Sequence, residues 1–195
     1  MASDRRRLTP EERREQLLDL GVRLLAERSL EEISIDVLAA EAGVSRGLLY
    51  HYFGDKSAFR EAVVRRAAAD LVEQTAPPSV GDPVERLRHS VTAYVDFVDA
   101  NWAGYRSLLR GAASDPALKA VYDEAFGQLG ERVFSADTGL IPDTPAARLV
   151  VRGWQAMTEQ LVLAWKSGES EVSRGQLLDL LVDALPALAV TLPAE

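Results

Sequence analysis

The stretch that begins at Ser34 constrains the fold more than any other part of the chain, because it indicates two short helices joined by a tight turn. Ser34 is a residue type that caps helix N-termini, and it predicts a helix that runs to Ala42. Gly43 stands where a glycine commonly ends a helix in the left-handed conformation. Ser45 then caps a second helix over residues 46–53. Two helices joined in this way form a helix-turn-helix, which places its second helix in the major groove of DNA.

The second predicted helix has one apolar row and three rows that can face a partner. Leu49 and Phe53 are four residues apart, so they share a face and hold the helix against the protein. The other rows carry donors that suit phosphates and base edges. A lysine in the first turn of the next helix opposes the helix dipole, and a phosphate partner would explain it. For that lysine and for the histidine, a merely solvated surface position is the alternative. The candidate DNA-binding residues are Ser34, Ser45, Arg46, Gly47, Tyr50, His51, Tyr52 and Lys56.

The order of these residues resembles the DNA-binding domain of the TetR family of bacterial regulators. Two positions depart from the family pattern. Asp36 stands where the family often has a basic residue, and Tyr52 stands where many members have histidine. The first change weakens one possible phosphate contact, and the second can alter base preference. The matching positions are Ser34, Leu38, Ala39, Ala42, Gly43, Val44, Ser45, Leu49, Tyr50, His51, Tyr52, Phe53 and Lys56.

The resemblance implies how such a protein works. Members of this family typically bind palindromic double-stranded DNA operators as homodimers. A small molecule that binds in the C-terminal domain changes the spacing of the two DNA-binding heads and releases the operator. The resemblance therefore implies three partners for this chain, namely an operator, an effector and a second copy of itself.

The charge of the chain is unevenly distributed. The net charge is −8, from 22 basic and 30 acidic residues, and DNA affinity depends largely on neutralised phosphates. Residues 43–66 nevertheless carry five basic side chains against two acidic ones, and Arg5, Arg6 and Arg7 add a basic arm. Affinity for DNA is therefore expected to come from a small cationic face.

The rest of the chain predicts an all-α fold of about nine helices, since no alternating strand pattern occurs. Thr9, Pro10 and Glu12 combine a capping box with proline at the first helical position, and this helix extends to about Arg28. Gly21 lowers helix propensity, which indicates a position of close packing.

A segment with two prolines and a glycine, residues 75–82, separates a fourth helix over residues 55–74 from the later helices. We therefore predict a helix-turn-helix DNA-binding domain over residues 1–75 and a ligand-binding and dimerisation domain over residues 76–195. In the second domain, the fifth predicted helix begins at Pro83, and the sixth is capped by Asn101 and ended by Gly111. The seventh is predicted from Pro116 to about Phe134, and the eighth from Ala146 to Ser167. The ninth is capped by Ser173, and Pro186 is expected to kink or end it.

Aromatic residues are concentrated in the second predicted domain, which holds nine of the thirteen. For any single one, a place in the core is the simpler interpretation. Together they suit a pocket between helices for an apolar, aromatic or acyl-like molecule. The candidate ligand-binding residues are Tyr94, Phe97, Trp102, Tyr105, Phe126, Trp154 and Met157.

The eighth and ninth predicted helices are apolar on two sides. An internal core would cover one side, and a second copy of the chain is the simplest cover for the other. The candidate dimer-interface residues are Val150, Leu161, Trp165, Leu178, Val182 and Leu185.

The sequence lacks the features that identify enzymes, metal sites and membrane proteins. No HExxH motif, phosphate-cradling glycine loop or G-x-S-x-G elbow occurs, so neither catalysis nor a cofactor is predicted. The chain has no cysteine and only two histidines, which leaves little for a metal site. The first residues lack the apolar region of a signal peptide, and no run reaches the roughly 18 apolar residues of a membrane span. A cytoplasmic location is therefore expected.

The predicted function is that of a ligand-responsive, DNA-binding transcriptional regulator, with a repressor favoured. The alternative is a helical ligand-binding or interaction protein that does not regulate by binding DNA. The acidic balance of the chain and Asp36 favour that alternative.

Overall fold

The computed structural model describes residues 9–134 and 140–192, and within these ranges every regular element is helical. The predicted all-α fold is therefore confirmed. The proposed basic arm of Arg5, Arg6 and Arg7 lies outside the described residues. The elements are α1 (Pro10–Glu27), α2 (Ile35–Ala42), α3 (Arg46–Phe53), α4 (Lys56–Gln74), α5 (Pro83–Ala100), α6 (Trp102–Ala112), α7 (Pro116–Glu131), a 3-10 turn (Arg132–Phe134), α8 (Pro145–Lys166) and α9 (Arg174–Ala189).

The predicted capping box of α1 and the predicted cap of α9 at Ser173 are both present. The Thr9 hydroxyl accepts a hydrogen bond from the Glu12 amide at 3.1 Å, and the Glu12 carboxylate accepts from the Thr9 amide at 2.8 Å. Ser173 and Gln176 make the same pair of bonds at the start of α9, at 3.3 and 3.0 Å. These bonds satisfy amides that a helix start leaves without partners, so both starts are fixed by local sequence.

Two predicted features of the helix ends are wrong, and a third, that Pro186 kinks or ends the last helix, is wrong as to the ending. Asn101 occupies the N-cap position of α6 but makes no capping bond with its side chain, because its backbone is not extended (φ −114°, ψ 28°). Gly111 does not end α6, which continues to Ala112. A Cβ at position 111 would lie 2.9 Å from a methyl group of Leu118, so the glycine makes room for a neighbour. Pro186 does not end α9, which continues to Ala189 while Leu185 beside it is fully buried.

The first of two compact units contains the helix-turn-helix. Unit 1 comprises the described residues up to Ala69 together with Asn101–Val121. Its core includes Leu17, Ile33, Leu38, Leu49, Phe59 and Val63. The close approach predicted at Gly21 is present, because a Cβ there would lie 2.6 Å from Val63.

Helix α6 belongs to unit 1 by packing, although it lies beyond the boundary predicted from the sequence. A Cβ at Gly104 would lie 2.3 Å from the carbonyl oxygen of Leu25, so only glycine lets α6 lie this close to α1. The buried Ser107 hydroxyl accepts from the Leu30 amide at 2.8 Å and donates to the Glu31 carboxylate at 2.6 Å. The hydroxyl of Ser107 lowers the pKa of Glu31 below its usual 4.5. A functional division at residues 75 and 76 stays a prediction.

Unit 2 comprises Asp70–Ala100 and the described residues from Tyr122 onward. Helices α5, α8 and α9 pack together around fully buried side chains such as Val95, Val162 and Leu181. The indole nitrogen of Trp154 donates to the carbonyl oxygen of Leu181 at 2.9 Å, which fixes α8 against α9. No helix among the described residues is long and apolar enough to cross a membrane.

Candidate DNA interface and ligand cavity

The turn between α2 and α3 has the geometry of a helix-turn-helix. Gly43 adopts the left-handed conformation (φ 64°, ψ 34°), which side chains disfavour. The hydroxyls of Ser34 and Ser45 accept from the amides of Val37 and Leu48 at 3.2 and 3.3 Å. Both predicted caps are therefore present, and they consume one lone pair of each hydroxyl.

Helix α3 is held down by one buried face, and most of its other residues are exposed. Leu49 and Phe53 are buried, and the Phe53 ring meets the Phe59 ring edge to face at 5.2 Å. The predicted anchoring row is therefore confirmed. Tyr50 lies outside this buried row and remains half exposed, at 50%.

The remaining predicted contact residues of α3 differ in exposure. Arg46, Gly47 and His51 are exposed. A Cβ at Gly47 would meet no protein atom closer than the Ser45 hydroxyl at 4.0 Å, so a bare backbone faces outward there. Tyr52 is partly buried against the core of unit 1, and its ring meets that of His51 at 5.5 Å. Tyr52 therefore presents only part of its ring to a partner.

Arg46 forms an ion pair with the residue that departs from the family pattern. Its Nε lies 2.6 Å from Oδ1 of Asp36 on α2, and both side chains are more than half exposed. Surface pairs of this kind contribute little to stability. The pair instead directs the Arg46 guanidinium toward Asp36.

The cationic face is smaller than the sequence predicts. Arg66 pairs with both Glu15 and Asp19, and Arg46 pairs with Asp36, so carboxylates outside residues 43–66 offset two of the five positive charges. Lys56 is exposed at the first residue of α4. The start of that helix is capped by Asp55, whose carboxylate accepts from the Ala58 amide at 2.9 Å.

Unit 2 contains an apolar cavity of about 90 Å³. Of the seven predicted ligand-binding residues, it brings together Tyr94, Phe126 and Trp154. The Tyr94 and Phe126 rings meet edge to face at 6.4 Å, and the Tyr122 ring stacks on Phe126 at 4.4 Å. These contacts make one wall of the cavity an aromatic surface.

The other four predicted residues lie elsewhere. Phe97 and Met157 belong to unit 2 but are not among the residues that line the cavity. Trp102 and Tyr105 lie on α6 in unit 1. Tyr105 is buried there, and the guanidinium of Arg106 lies 5.2 Å from the centre of the Trp102 ring.

Polar residues that the sequence reasoning missed also line this cavity. Arg86 and Thr158 are buried, at 7% and 6% exposure, and Oγ1 of Thr158 has no hydrogen-bond partner. A signal was available at Arg86, because Ser90 lies one turn later and both flank the apolar stripe of α5. The sequence of α8 contains no comparable pattern that would have indicated Thr158.

A third polar lining residue, Arg132, reaches the end of α4. Its guanidinium donates to the carbonyl oxygen of Val72 and, at 3.1 Å, to the hydroxyl of Thr75, which also lines the cavity. Burial lowers the pKa of Arg132, although an arginine keeps its proton at neutral pH. The last turn of α4 is thereby connected to the cavity wall.

A buried carboxylate follows Thr158 in the sequence. Glu159 accepts from the Tyr122 hydroxyl at 2.9 Å. Burial, and then the adjacent carboxylate, raise the pKa of Tyr122, so this phenol stays protonated. No cluster of three metal-binding side chains occurs in the part of the chain that the structure describes.

Comparison with known families decides between a DNA-binding regulator and a helical protein of another kind. Residues 17–63 match the family described as "Bacterial regulatory proteins, tetR family", and residues 83–188 match "Tetracyclin repressor-like, C-terminal domain". The chain belongs to the TetR family. It is a helix-turn-helix transcriptional regulator, and the resemblance seen in the sequence is confirmed.

Individual transcriptional regulators are similar along most of the chain. A tetR-family transcriptional regulator from Streptomyces coelicolor is 35% identical with a TM-score of 0.82, and the match covers 93% of this chain and 82% of that one. The transcriptional activator FasR of Mycolicibacterium smegmatis is 28% identical over 89% of this chain and 81% of its own length. The regulator BetI of Stenotrophomonas maltophilia is 30% identical over 77% and 80%.

The predicted dimer residues of this TetR-family chain fall into two groups. Val150, Leu161 and Trp165 on α8 are partly buried. Leu178, Val182 and Leu185 on α9 are buried within a single chain, so they belong to the core of unit 2. The large apolar side chains that α8 and α9 leave exposed are Leu149, at 72%, and Leu180, at 49%.

Proposed function

We propose that this TetR-family protein is a cytoplasmic repressor that holds a palindromic operator as a homodimer and releases it when a small apolar molecule enters the unit 2 cavity. The observation that carries this proposal is that α4 is one continuous helix whose first residues follow the DNA-reading helix and whose last turn is bonded to the cavity wall.

The DNA contacts are assigned from exposure. Arg46 and Tyr50 are the long exposed side chains of α3 that reach base edges, and His51 lies beside them. Lys56 contacts a phosphate, since its charge opposes the dipole of α4 and gains from an anionic partner. Ser34, Ser45 and Gly47 contribute at the backbone, where short side chains let a phosphate approach.

Release of the operator requires that the ligand bind the released shape of the protein more tightly than the DNA-competent shape. A ligand weakens operator binding tenfold only if it binds the released shape about 1.4 kcal/mol more tightly than the DNA-competent shape. A cavity of 90 Å³ is smaller than the engineered cavity of about 150 Å³ that takes up benzene in another protein. A ligand of one ring or more must therefore move part of the wall, and Arg132 with the end of α4 is the part whose movement reaches the DNA-binding unit.

The homodimer is proposed to form through α8 and α9. The exposed Leu149 and Leu180 need a cover, and a second copy supplies it through a self-complementary surface. Such a dimer places the two recognition helices about one DNA turn, roughly 34–36 Å, apart.

One experiment tests DNA binding, ligand response and the sign of regulation together. The purified protein is titrated onto a labelled duplex from upstream of its own gene, with and without a panel of small apolar compounds, and the same upstream region drives a reporter in cells. We expect specific retardation, loss of it with at least one compound, and higher reporter output when the protein is deleted. Retardation that no compound reverses contradicts ligand release, and lower output on deletion contradicts repression.

A further inference from the structure

We propose that the ligand of the unit 2 cavity is an uncharged ring compound with one hydroxyl group, such as a phenol, and that this hydroxyl lies between Gln155 and Thr158 of α8. This inference rests on the proposed ligand response and adds the chemical class of the ligand. Its failure and the failure of that response give different experimental results.

The two charged residues that line the cavity in the described part of the chain are already engaged by the protein. Arg132 donates to the carbonyl oxygen of Val72 and to the hydroxyl of Thr75. Arg86 likewise interacts with other groups of the chain. Neither guanidinium therefore requires an anion from the ligand. The polar lining residues with groups open to a ligand are Ser90, Gln155 and Thr158, and all three are uncharged.

Gln155 offers the ligand a hydrogen-bond acceptor. Its Nε2 donates to the carbonyl oxygen of Phe126 at 2.9 Å. A carbonyl oxygen only accepts, so this bond fixes which end of the amide is nitrogen and leaves Oε1 without a partner among the described residues. A Cβ at Gly130 would lie 3.0 Å from Oε1, so the glycine leaves this oxygen uncovered. A ligand group that bonds to Gln155 must therefore donate, which a carboxylate or a ketone cannot do.

The hydroxyl of Thr158 is a second polar group that a ligand can satisfy. Thr158 is 6% exposed and lines the same cavity, and within the described ranges its Oγ1 has no hydrogen-bond partner. A buried hydroxyl without a partner costs free energy, which a bound ligand recovers. A hydroxyl is the smallest uncharged group that accepts from Thr158 and also donates to Gln155.

Gln155 and Thr158 are close enough for one ligand hydroxyl to serve both. They are three residues apart in α8, so their side chains share a face of the helix, with Cβ atoms about 5–6 Å apart. An O–H···O bond is about 2.8 Å long, so one hydroxyl oxygen can join two groups that are up to about 5.6 Å apart. The two side chains therefore recognise a single polar atom of the ligand.

The walls of the cavity select the ring. A volume of about 90 Å³ suits a single ring with some displacement of the wall. The edge-to-face contact of Tyr94 and Phe126 provides apolar surface for such a group. The indole nitrogen of Trp154 already donates to Leu181, so this ring adds apolar surface as well. Phenol combines a ring with one hydroxyl and is uncharged at pH 7, so it serves as the probe.

The test compares rings that differ at one position. The full-length protein is titrated calorimetrically at pH 7 with phenol, toluene, anisole and benzoate. Toluene has the shape of phenol without the hydroxyl, anisole accepts a hydrogen bond but donates none, and benzoate carries a negative charge. We expect phenol to bind at least tenfold more tightly than toluene or benzoate, and several-fold more tightly than anisole.

Variants of similar shape assign this preference to the two side chains. Thr158→Val should reduce the advantage of phenol over toluene several-fold without lowering the melting temperature, because the hydroxyl that it removes has no partner in the described structure. Thr158→Ser should retain most of the advantage. Gln155→Met should remove the advantage of phenol over anisole.

A matched variant controls for the loss of any glutamine from α8. Gln160 is exposed on the same helix and does not line the cavity, so Gln160→Met should leave the phenol preference intact. Circular dichroism melts identify a variant that fails to fold. Thr158→Val and Thr158→Ser provide the answer if Gln155→Met does so.

The outcomes separate the two proposals. The hydroxyl assignment is overturned if phenol does not bind at millimolar concentration, if toluene, anisole or benzoate binds as tightly as phenol, or if the preference survives in a folded Thr158→Val or Gln155→Met protein. If any of these compounds releases the operator in that case, the ligand response still stands. Phenol that binds with the expected dependence on both residues but leaves operator affinity unchanged supports the assignment and contradicts the response.

Discussion

Arg46 Nε and Asp36 Oδ1 lie 2.6 Å apart on the exposed surface of the helix-turn-helix. The carboxylate therefore occupies the side of the guanidinium that could otherwise meet a phosphate. A guanidinium held in this way keeps terminal N–H donors that can reach the O6 and N7 of guanine. We therefore expect the pair to affect both the affinity and the sequence preference of the recognition helix.

Replacing Arg46 by alanine should weaken operator binding by about 1–3 kcal/mol, roughly tenfold or more. The melting temperature should hardly change, because an exposed ion pair adds at most about 1 kcal/mol to stability. Fluorescence anisotropy with a labelled operator measures the affinity. Unchanged affinity for both Arg46→Ala and Tyr50→Phe would mean that another face of α3 meets DNA.

Replacing Asp36 by asparagine should raise affinity for DNA of arbitrary sequence and steepen its salt dependence. The change removes a negative charge near the phosphates and frees Arg46 to contact them. The ratio of specific to non-specific affinity should fall. Titration of operator and scrambled duplexes over a range of salt concentrations measures both quantities, and a ratio that rises would contradict a positioning role for Asp36.

Replacing Lys56 by alanine should weaken binding to all sequences alike and reduce the slope of log affinity against log salt by about one. Lys119→Ala is the matched control, because this lysine also belongs to unit 1 but lies outside the helix-turn-helix. Loss of affinity for the operator alone would show that Lys56 reads bases.

Charge placed at Leu149 and Leu180 should separate the dimer and leave the subunit folded, because both side chains are exposed in one chain. Val182→Asp should instead destabilise the subunit itself, since Val182 is fully buried and an unpaired charge there is costly. Sedimentation at micromolar concentration and thermal melts distinguish the two effects. A Leu149→Asp, Leu180→Asp protein that still sediments as a dimer would place the interface elsewhere.

Replacing Ser107 by alanine should cost about 1–3 kcal/mol at pH 7, because the buried Leu30 amide loses its acceptor. The decrease in the free energy of unfolding caused by Ser107→Ala should be smaller at acidic pH. Folding lowers the pKa of the Glu31 carboxyl, so its hydrogen bond with Ser107 stabilises the fold at a pH above the unfolded pKa of about 4.5. This contribution to stability is lost as the pH falls through the pKa of the folded state. Urea denaturation at several pH values measures this, with the exposed Ser114→Ala as control. An equal loss of stability at every pH would show that the hydrogen bond between Ser107 and Glu31 does not contribute to it.

Features fixed by neighbouring residues could be predicted from the sequence. The caps at Ser34, Ser45 and Ser173 depend on residues three positions away, and the left-handed turn depends on Gly43 alone. Asn101 shows the limit of this reasoning, because its residue type suits a cap but its backbone is not extended and its side chain makes no capping bond.

Features that depend on distant partners could not be predicted. Periodicity indicates that Tyr105 and Leu178 are buried, but it does not say which element covers them. Tyr105 was therefore expected in a pocket, and Leu178 at an interface between subunits. Thr158 was missed for a related reason, since polar residues on a helix usually face solvent and only the tertiary packing buries this one.

The fit of Gly104 against the Leu25 carbonyl oxygen limits how this protein can change over generations. The smallest replacement adds one methyl group, and no substitution at position 25 removes a backbone oxygen. No single substitution can therefore place a larger residue at position 104 without disrupting the contact between α6 and α1. The side chains that line the cavity can be exchanged one at a time without altering that contact. New ligand specificities can thus arise by gradual substitution in unit 2 while the packing that supports the helix-turn-helix is inherited unchanged.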